Sequence, residues 1–273
     1  MQTQGLLKEG KKSESYPRNI APDFSLQSLN PIIQSLNKEI NITAVLCYGS
    51  YAEGTQDEKS DIDLLVICDD LIPESSVRYK IYEKNNGQQI KLQKPHENWE
   101  TTWTPINDEF LYKGKKIEIG YNLSSWVKDV VNKIVNEGKT TLEDFQFRPY
   151  TFLGLLENSV CLFEKENFIS LIRKQIRPFP PTLKAEIVKE NFSIFNESLE
   201  DLEDFNHRDI GLLAFQFMLF RGLDAAIQII FAINEVYYPA SKREEKHLMR
   251  LPKLPQGMHE LIYDLLPGFF NRK

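Results

Sequence analysis

Two apolar runs joined by a short polar crossing dominate the first part of the chain. Residues 45–48 (Val-Leu-Cys-Tyr) predict a strand that stops at Gly49-Ser50. Ser50 stands where it can cap a short helix through Glu53, and Gly54 closes that turn. Residues 55–60 are polar, and 62–67 are then apolar without interruption, the pattern of a strand buried on both faces of a sheet. Upstream, Asn30-Pro31 predicts a helix start. Leu29, Ile32, Ile33 and Leu36 form its sheet-facing side, and Asn41 ends it.

Downstream, 74–82 reads as a short helix, Asn85-Asn86-Gly87 as a turn, and 89–92 as a strand. Residues 109–112 and 116–121, joined through Lys113-Gly114-Lys115, predict a hairpin. On its second strand Ile117 and Ile119 alternate with Lys116, Glu118 and Gly120. A helix over 123–134 leads out of this region. Trp99 and Trp103 lie in a segment without period, where such side chains more often pin a loop to the body than stack on a ligand.

From Thr141 onward no strand is predicted. Residues 152–163 and 168–176 are helical candidates, and Pro178, Pro180 and Pro181 break the chain. Residues 182–205 are amphipathic, with Leu183, Ile187, Phe195, Leu199 and Leu202 near one stripe. Residues 210–233 are the most apolar. Arg221, Asp224 and Gln228 fall there on one narrow polar stripe, which makes a poor membrane span and predicts the central helix of a soluble bundle. Shorter helices are expected at 244–250 and 259–266, separated by Pro252 and Pro255. The organisation read from this pattern is a polar arm at 1–21, an α/β domain at 22–135 and a helical domain at 140–273.

A chain of 273 residues with 41% hydrophobic composition is long enough for two such domains. Its net charge of −6 argues against a dedicated polynucleotide binder, which needs a basic surface. Cys47, Cys68 and Cys161 have no metal-ligand spacing and read as reduced core residues of a cytoplasmic protein. The arm lacks the apolar core of a signal peptide or membrane anchor.

The chemistry concentrates where the two strands meet. Asp61 and Asp63 sit two apart at the start of the second strand, so both carboxylates share a face. Like charges at a buried strand end raise each other's pKa and resist dehydration. A divalent cation relieves both, and oxygen ligands suit Mg²⁺ or Mn²⁺. Gly49-Ser50, eleven residues earlier, offers backbone N–H groups and close approach to a phosphate. Together they make one site for a metal-bound triphosphate.

Gly49-Ser50, Gly54 and Ser60-Asp61-Ile62-Asp63-Leu64 resemble the signature of the DNA polymerase β-like nucleotidyltransferase superfamily. The resemblance implies an α/β (α+β) fold with a mixed sheet, followed by an all-α domain as in the aminoglycoside- and lincosamide-modifying enzymes. It implies that Gly49, Ser50 and Ser60 bind the nucleotide and that Asp61 and Asp63 hold two Mg²⁺ ions. Glu118 matches the third carboxylate by position, with Asp108 and Glu109 as alternatives. The expected reaction moves a nucleoside monophosphate from an NTP, first of all ATP, to a small-molecule hydroxyl. The acceptor is expected in a cleft between domains, in some relatives completed by a second subunit, so a homodimer is also expected. Tyr237, Tyr238 and Lys242, in a segment like one in bacterial members of the group, are its candidate wall. Transfer to a protein hydroxyl and a nucleotide-binding protein without turnover are the alternative readings.

Overall fold

The computed structural model describes residues 24–94, 103–142, 147–205, 208 and 211–265. The expected arm at 1–21, and Trp99, lie outside the described residues. A 3₁₀ turn at Leu26–Leu29, capped by the Ser25 hydroxyl, runs directly into α1 (Asn30–Glu39). Leu29, Ile32, Ile33 and Leu36 are buried as their spacing predicts. Each such burial stabilises the fold by roughly 1.5–3 kcal/mol relative to exposure.

There follow β1 (Ile42–Tyr48), α2 (Ser50–Glu53), β2 (Ile62–Cys68), α3 (Ser75–Lys84), β3 (Gln88–Lys91), β4 (Ile106–Tyr112) and β5 (Lys115–Leu123). The turn between β4 and β5 has both Lys113 and Gly114 at positive φ, the backbone form that matches strand twist in a two-residue hairpin. Then come α4 (Ser124–Val135), α5 (Pro149–Asn158), β6 (Val160–Glu164), α6 (Phe168–Ile176), α7 (Pro181–Phe205) and α8 (Leu212–Ile233). A 3₁₀ turn at Ser241–Arg243, α9 (Glu244–Leu248) and α10 (Met258–Glu260) follow.

The six strands form one mixed sheet in the order β3-β4-β5-β2-β1-β6. β2 and β5 are parallel, and the other four pairings are antiparallel. Side chains from one sheet face, including Val45, Leu64, Val66, Ile117 and Ile119, pack with α1 and α3. The other face, with Ala44, Leu46, Leu65 and Ile67, meets α4, α5, α6 and parts of α7, α8 and α9. The helical region thus shares a core with the sheet.

Two expectations are corrected. Residues 160–164 are a strand and not the end of a helix: α5 stops at Asn158, and Ser159 is extended. The run Val-Cys-Leu-Phe is too short for periodicity to distinguish a buried strand from helix, and the open edge of β1 supplies its partner, with Leu46 opposite Cys161. The second correction concerns α8, which is not the central helix of a bundle. It packs along α7, closely enough at Gly222 that an added Cβ would lie 3.1 Å from Ser198. Its first half leaves Leu212, Leu213 and Phe217 exposed, Leu213 by 82%. By length and composition this helix could cross a bilayer. Here its polar stripe is matched: Arg221 pairs with Glu197 at 2.8 Å, Asp224 with Arg148, and the buried Gln228 accepts from the Tyr150 hydroxyl at 3.0 Å.

On the α1/α3 side the sheet buries one ion pair. Arg78 Nε donates to Asp108 Oδ2 at 2.7 Å, both side chains being inaccessible to solvent. The Tyr82 hydroxyl adds a 3.0 Å bond to Asp108 and lies 2.5 Å from the Tyr121 hydroxyl. The backbone N–H of Gln93 donates to the other Asp108 oxygen at 3.0 Å. Asp108 is thereby committed to the fold, on the face opposite Asp63. The cysteines are free, with Cys47 and Cys68 buried.

Candidate active site

The middle of the sheet brings the carboxylates together. Tyr48 on β1, Asp63 on β2 and Glu118 on β5 stand side by side in register across three strands. Ile62, Leu64, Ile117 and Ile119 point into the α1/α3 layer, so strand alternation turns Asp61, Asp63 and Glu118 to the other face. Asp108 is on the wrong face to replace Glu118. Glu109 lies directly opposite Glu118 on β4.

Burial pushes the Asp63 carboxyl up to about 6, and the neighbouring Asp61 and Glu118 add to the effect, while Arg243 and Lys116 oppose it. The same surroundings hold the Tyr48 hydroxyl well above its ordinary range. Burial and Asp63 push the Cys47 thiol up to about 12, leaving it un-ionised.

Gly49 follows β1 at φ +78°, ψ −154°, a conformation open to glycine and strained for other residues. It serves as the cap of α2, and Ser50 is the first helical residue rather than the cap; no side chain caps this helix. A Cβ at Gly49 would overlap Oδ2 of Asp63 and lie 3.3 Å from Nη2 of Arg243. Gly54 ends α2 in the left-handed region, donating its N–H to the Ser50 carbonyl. The Ser60 hydroxyl is occupied within the crossing loop: it donates to Asp57 Oδ1 at 2.8 Å and accepts from the Asp57 N–H at 2.9 Å.

Arg243 is the site residue that sequence reasoning missed. It lies at the end of the Ser241–Arg243 turn, over 170 positions from β2, and is carried to the Gly49 loop by the return of the chain after α8. Glu53 holds it at 3.3 Å and also faces His247 Nε2 at 3.5 Å. Ala240, at the start of this turn, has φ +74°, ψ 156°, a region almost reserved for glycine. Strain of this kind costs on the order of 1–3 kcal/mol and persists only where surrounding contacts impose it. The residue named from the sequence, Lys242, is exposed. Tyr237 is a core residue, its hydroxyl donating to the Ile176 carbonyl at 2.8 Å and its ring packed on Phe179, so it does not wall an open cleft. Tyr238 is also buried, bonded to Glu244 at 2.5 Å and covered by the Arg148 guanidinium. Trp103 packs edge-on to Tyr48 and Phe147, fixing its loop to β1.

The donor set suits a divalent cation: oxygen-only, anionic, partly buried, and electrostatically unfavourable without a counter-charge. As the side chains lie, no three His, Cys, Asp or Glu residues among those described are arranged around one ion position. The Lys116 ammonium stands among them instead, contacting Glu118 and lying 3.8 Å from Asp61.

Residues 30–118 match the family described as Polymerase beta, Nucleotidyltransferase. The sequence matches none of the curated proteins with which it was compared. Among solved structures, the chain is similar to a nucleotidyltransferase-like protein from Exiguobacterium sibiricum, at 11% identity and a TM-score of 0.42, covering 83% of this chain and 62% of that one. It is also similar to a toxin-antitoxin crystallised with AMP-PNP, at 15% identity and a TM-score of 0.31, over 62% of this chain and 97% of that one. A third is spectinomycin adenyltransferase AAD(9) from Enterococcus faecialis with ATP and spectinomycin, at 12% identity and a TM-score of 0.31, over 91% and 98%. The matched segment contains the Gly49–Ser50 turn, both aspartates of β2 and Glu118, so the residues that the structure brings together lie within the part of the chain that is similar to the nucleotidyltransferase domain of the polymerase β family.

Proposed function

We propose that this nucleotidyltransferase moves a nucleoside monophosphate from an NTP, with ATP the first candidate, to a hydroxyl of a small molecule. The observation that carries this reading is the convergence of Asp61, Asp63 and Glu118 on one sheet face, beside a glycine turn that Arg243 approaches from outside the matched segment. The triphosphate tail lies against the backbone of Gly49 and Ser50, and Arg243 supplies a guanidinium for bidentate phosphate contact. Asp61, Asp63 and Glu118 would hold divalent ions, Mg²⁺ or Mn²⁺. Such ions, when bound, supply charge neutralisation on the phosphates and a lowered pKa of the attacking hydroxyl.

In the transfer, the acceptor oxygen forms a bond to the α-phosphorus as the bond from that phosphorus to the bridging oxygen breaks. Pyrophosphate leaves with the electron pair, and the acceptor proton passes to Glu118. The acceptor enters from the side of the helical region, which packs on the same sheet face. The protein works in the cytoplasm on this reading, without polynucleotide or membrane.

The test is pyrophosphate release from each of the four NTPs with Mg²⁺, alone and with a panel of hydroxylated small molecules, followed by mass analysis of products. Release that depends on an added small molecule, with that molecule gaining one nucleotide, is expected. Label found on a protein would transfer the reading to protein modification. No release with any NTP in the presence of Mg²⁺ or Mn²⁺ would overturn it.

A further inference from the structure

The carboxylates of this site are not left bare, and the group that neutralises them has a second place to go. Glu109 and Glu118 stand directly opposite each other on antiparallel strands, an arrangement that destabilises a sheet unless something intervenes. Lys116, two residues before Glu118 on the same strand face, intervenes. Its ammonium contacts Glu118 and lies 3.5 Å from Glu109 and 3.8 Å from Asp61. It therefore bridges two groups of the candidate site, Asp61 and Glu118, and one group outside it, Glu109. Its side chain is 41% exposed, so it can swing without leaving a void in a core. Lys91, 3.6 Å from Glu109, marks that carboxylate as a docking point for ammonium groups.

We propose that Lys116 is a built-in competitor of the divalent cation: in the nucleotide-free protein it fills the space between Asp61 and Glu118, and it yields by retreating to Glu109. This rests on the nucleotidyltransferase reading for the identity of the cation. One consequence is that free metal loads weakly. The carboxylates become available when a metal–NTP complex arrives with enough affinity to displace the ammonium, which discourages occupation by a stray ion between turnovers. Lys115, next in sequence, is not part of this arrangement, because it turns outward and donates to the Glu58 carbonyl at 3.1 Å.

The experiment is a Mn²⁺ titration of the nucleotide-free protein, following the paramagnetic signal of free Mn²⁺. Lys116→Met should bind Mn²⁺ about three- to tenfold more tightly than wild type, the scale of removing one partly screened ion pair, and Lys115→Met should match wild type. Glu109→Gln should weaken Mn²⁺ binding in the wild-type background, where it removes the place of retreat, and have no effect in the Lys116→Met background. That non-additivity separates direct exchange from a general field effect. Equal or weaker binding by Lys116→Met would overturn the proposal, since Lys116 would then organise the carboxylates for the ion. Equal tightening by Lys115→Met, or an identical Glu109→Gln effect in both backgrounds, would overturn it as well. Absence of Mn²⁺ binding in every variant would mean that Lys116 is not what excludes the ion. Pyrophosphate release by wild type is scored separately, so failure here is distinguishable from failure of the transfer reading.

Discussion

Gly49 and Asp63 touch through the space where a side chain would be: a Cβ on Gly49 would fall well inside 3.0 Å of Oδ2 of Asp63. The strand pairing that sets Tyr48 opposite Asp63 delivers the carboxylate to the turn, and a positive φ lets the turn receive it. Gly49→Ala is therefore penalised twice, by backbone strain of about 1–3 kcal/mol and by displacement of Asp63. Thermal melting should show the lost stability, and titration with a non-hydrolysable NTP should show weakened binding. Unchanged affinity would mean that the turn does not border the nucleotide.

Asp63 should make the metal-free protein less stable as pH rises. Its carboxyl titrates at about 6 in the fold against 3.8 for the ordinary group. Below pH 3.8 both states are protonated and nothing is lost. Between 3.8 and 6 the unfolded chain ionises first, so the stability contributed by the neutral folded form is lost, and above 6 the loss is complete. Asp63→Asn should thus stabilise the metal-free protein at pH 7–8 by on the order of 2–3 kcal/mol and add little below pH 4. Melting curves at the two pH values test this, and an equal gain at both would assign the effect to something other than ionisation.

Arg243→Ala should weaken NTP binding by roughly 1.5–3 kcal/mol, the worth of a hydrogen bond to a charged group. Lys242→Ala, one residue earlier and exposed, should leave affinity unchanged. Calorimetric titration of both variants distinguishes the guanidinium from general basicity, and equal losses would remove Arg243 from its assigned place.

Glu118→Gln should keep NTP affinity and slow the chemical step by about 10²–10⁴, the range of a positioned proton acceptor. Single-turnover kinetics with melting on the same sample decides it. A wild-type rate would exclude Glu118 as the acceptor of the proton.

Asp108→Ala should behave in the opposite way, damaging the fold before the chemistry. It leaves the Arg78 guanidinium buried without its counter-charge, a change that costs about 3–5 kcal/mol. Denaturant unfolding is the measurement; a variant of normal stability and reduced turnover would contradict the structural role.

Much of the sheet was legible because its signals are local. The uninterrupted apolar run of β2, the alternation around Glu118 and the Lys113-Gly114 turn each determine a conformation within a few residues. The direction in which Asp61, Asp63 and Glu118 face follows from strand period alone once those strands exist. The short strand β6 was illegible for the converse reason, since its existence depends on the open edge of β1, more than a hundred residues away.

The same distinction separates the two halves of the candidate site. The sequence by itself determined the Gly-Ser turn, the paired aspartates and Glu118, because a glycine turn and a carboxylate pair are built by neighbours in the chain. Only tertiary structure decided which cations meet them. Lys242 and Arg243 are adjacent basic residues that composition cannot tell apart, and it is the packing of the chain after α8, with Ala240 forced into a glycine-like conformation and Glu53 waiting at α2, that sends Arg243 to Gly49 and leaves Lys242 in solvent. Lys116 likewise reads as an ordinary strand residue until β4 sets Glu109 opposite Glu118. Backbone period orients a side chain, but its charge partner is set by whichever distant segment the fold brings within a few ångströms.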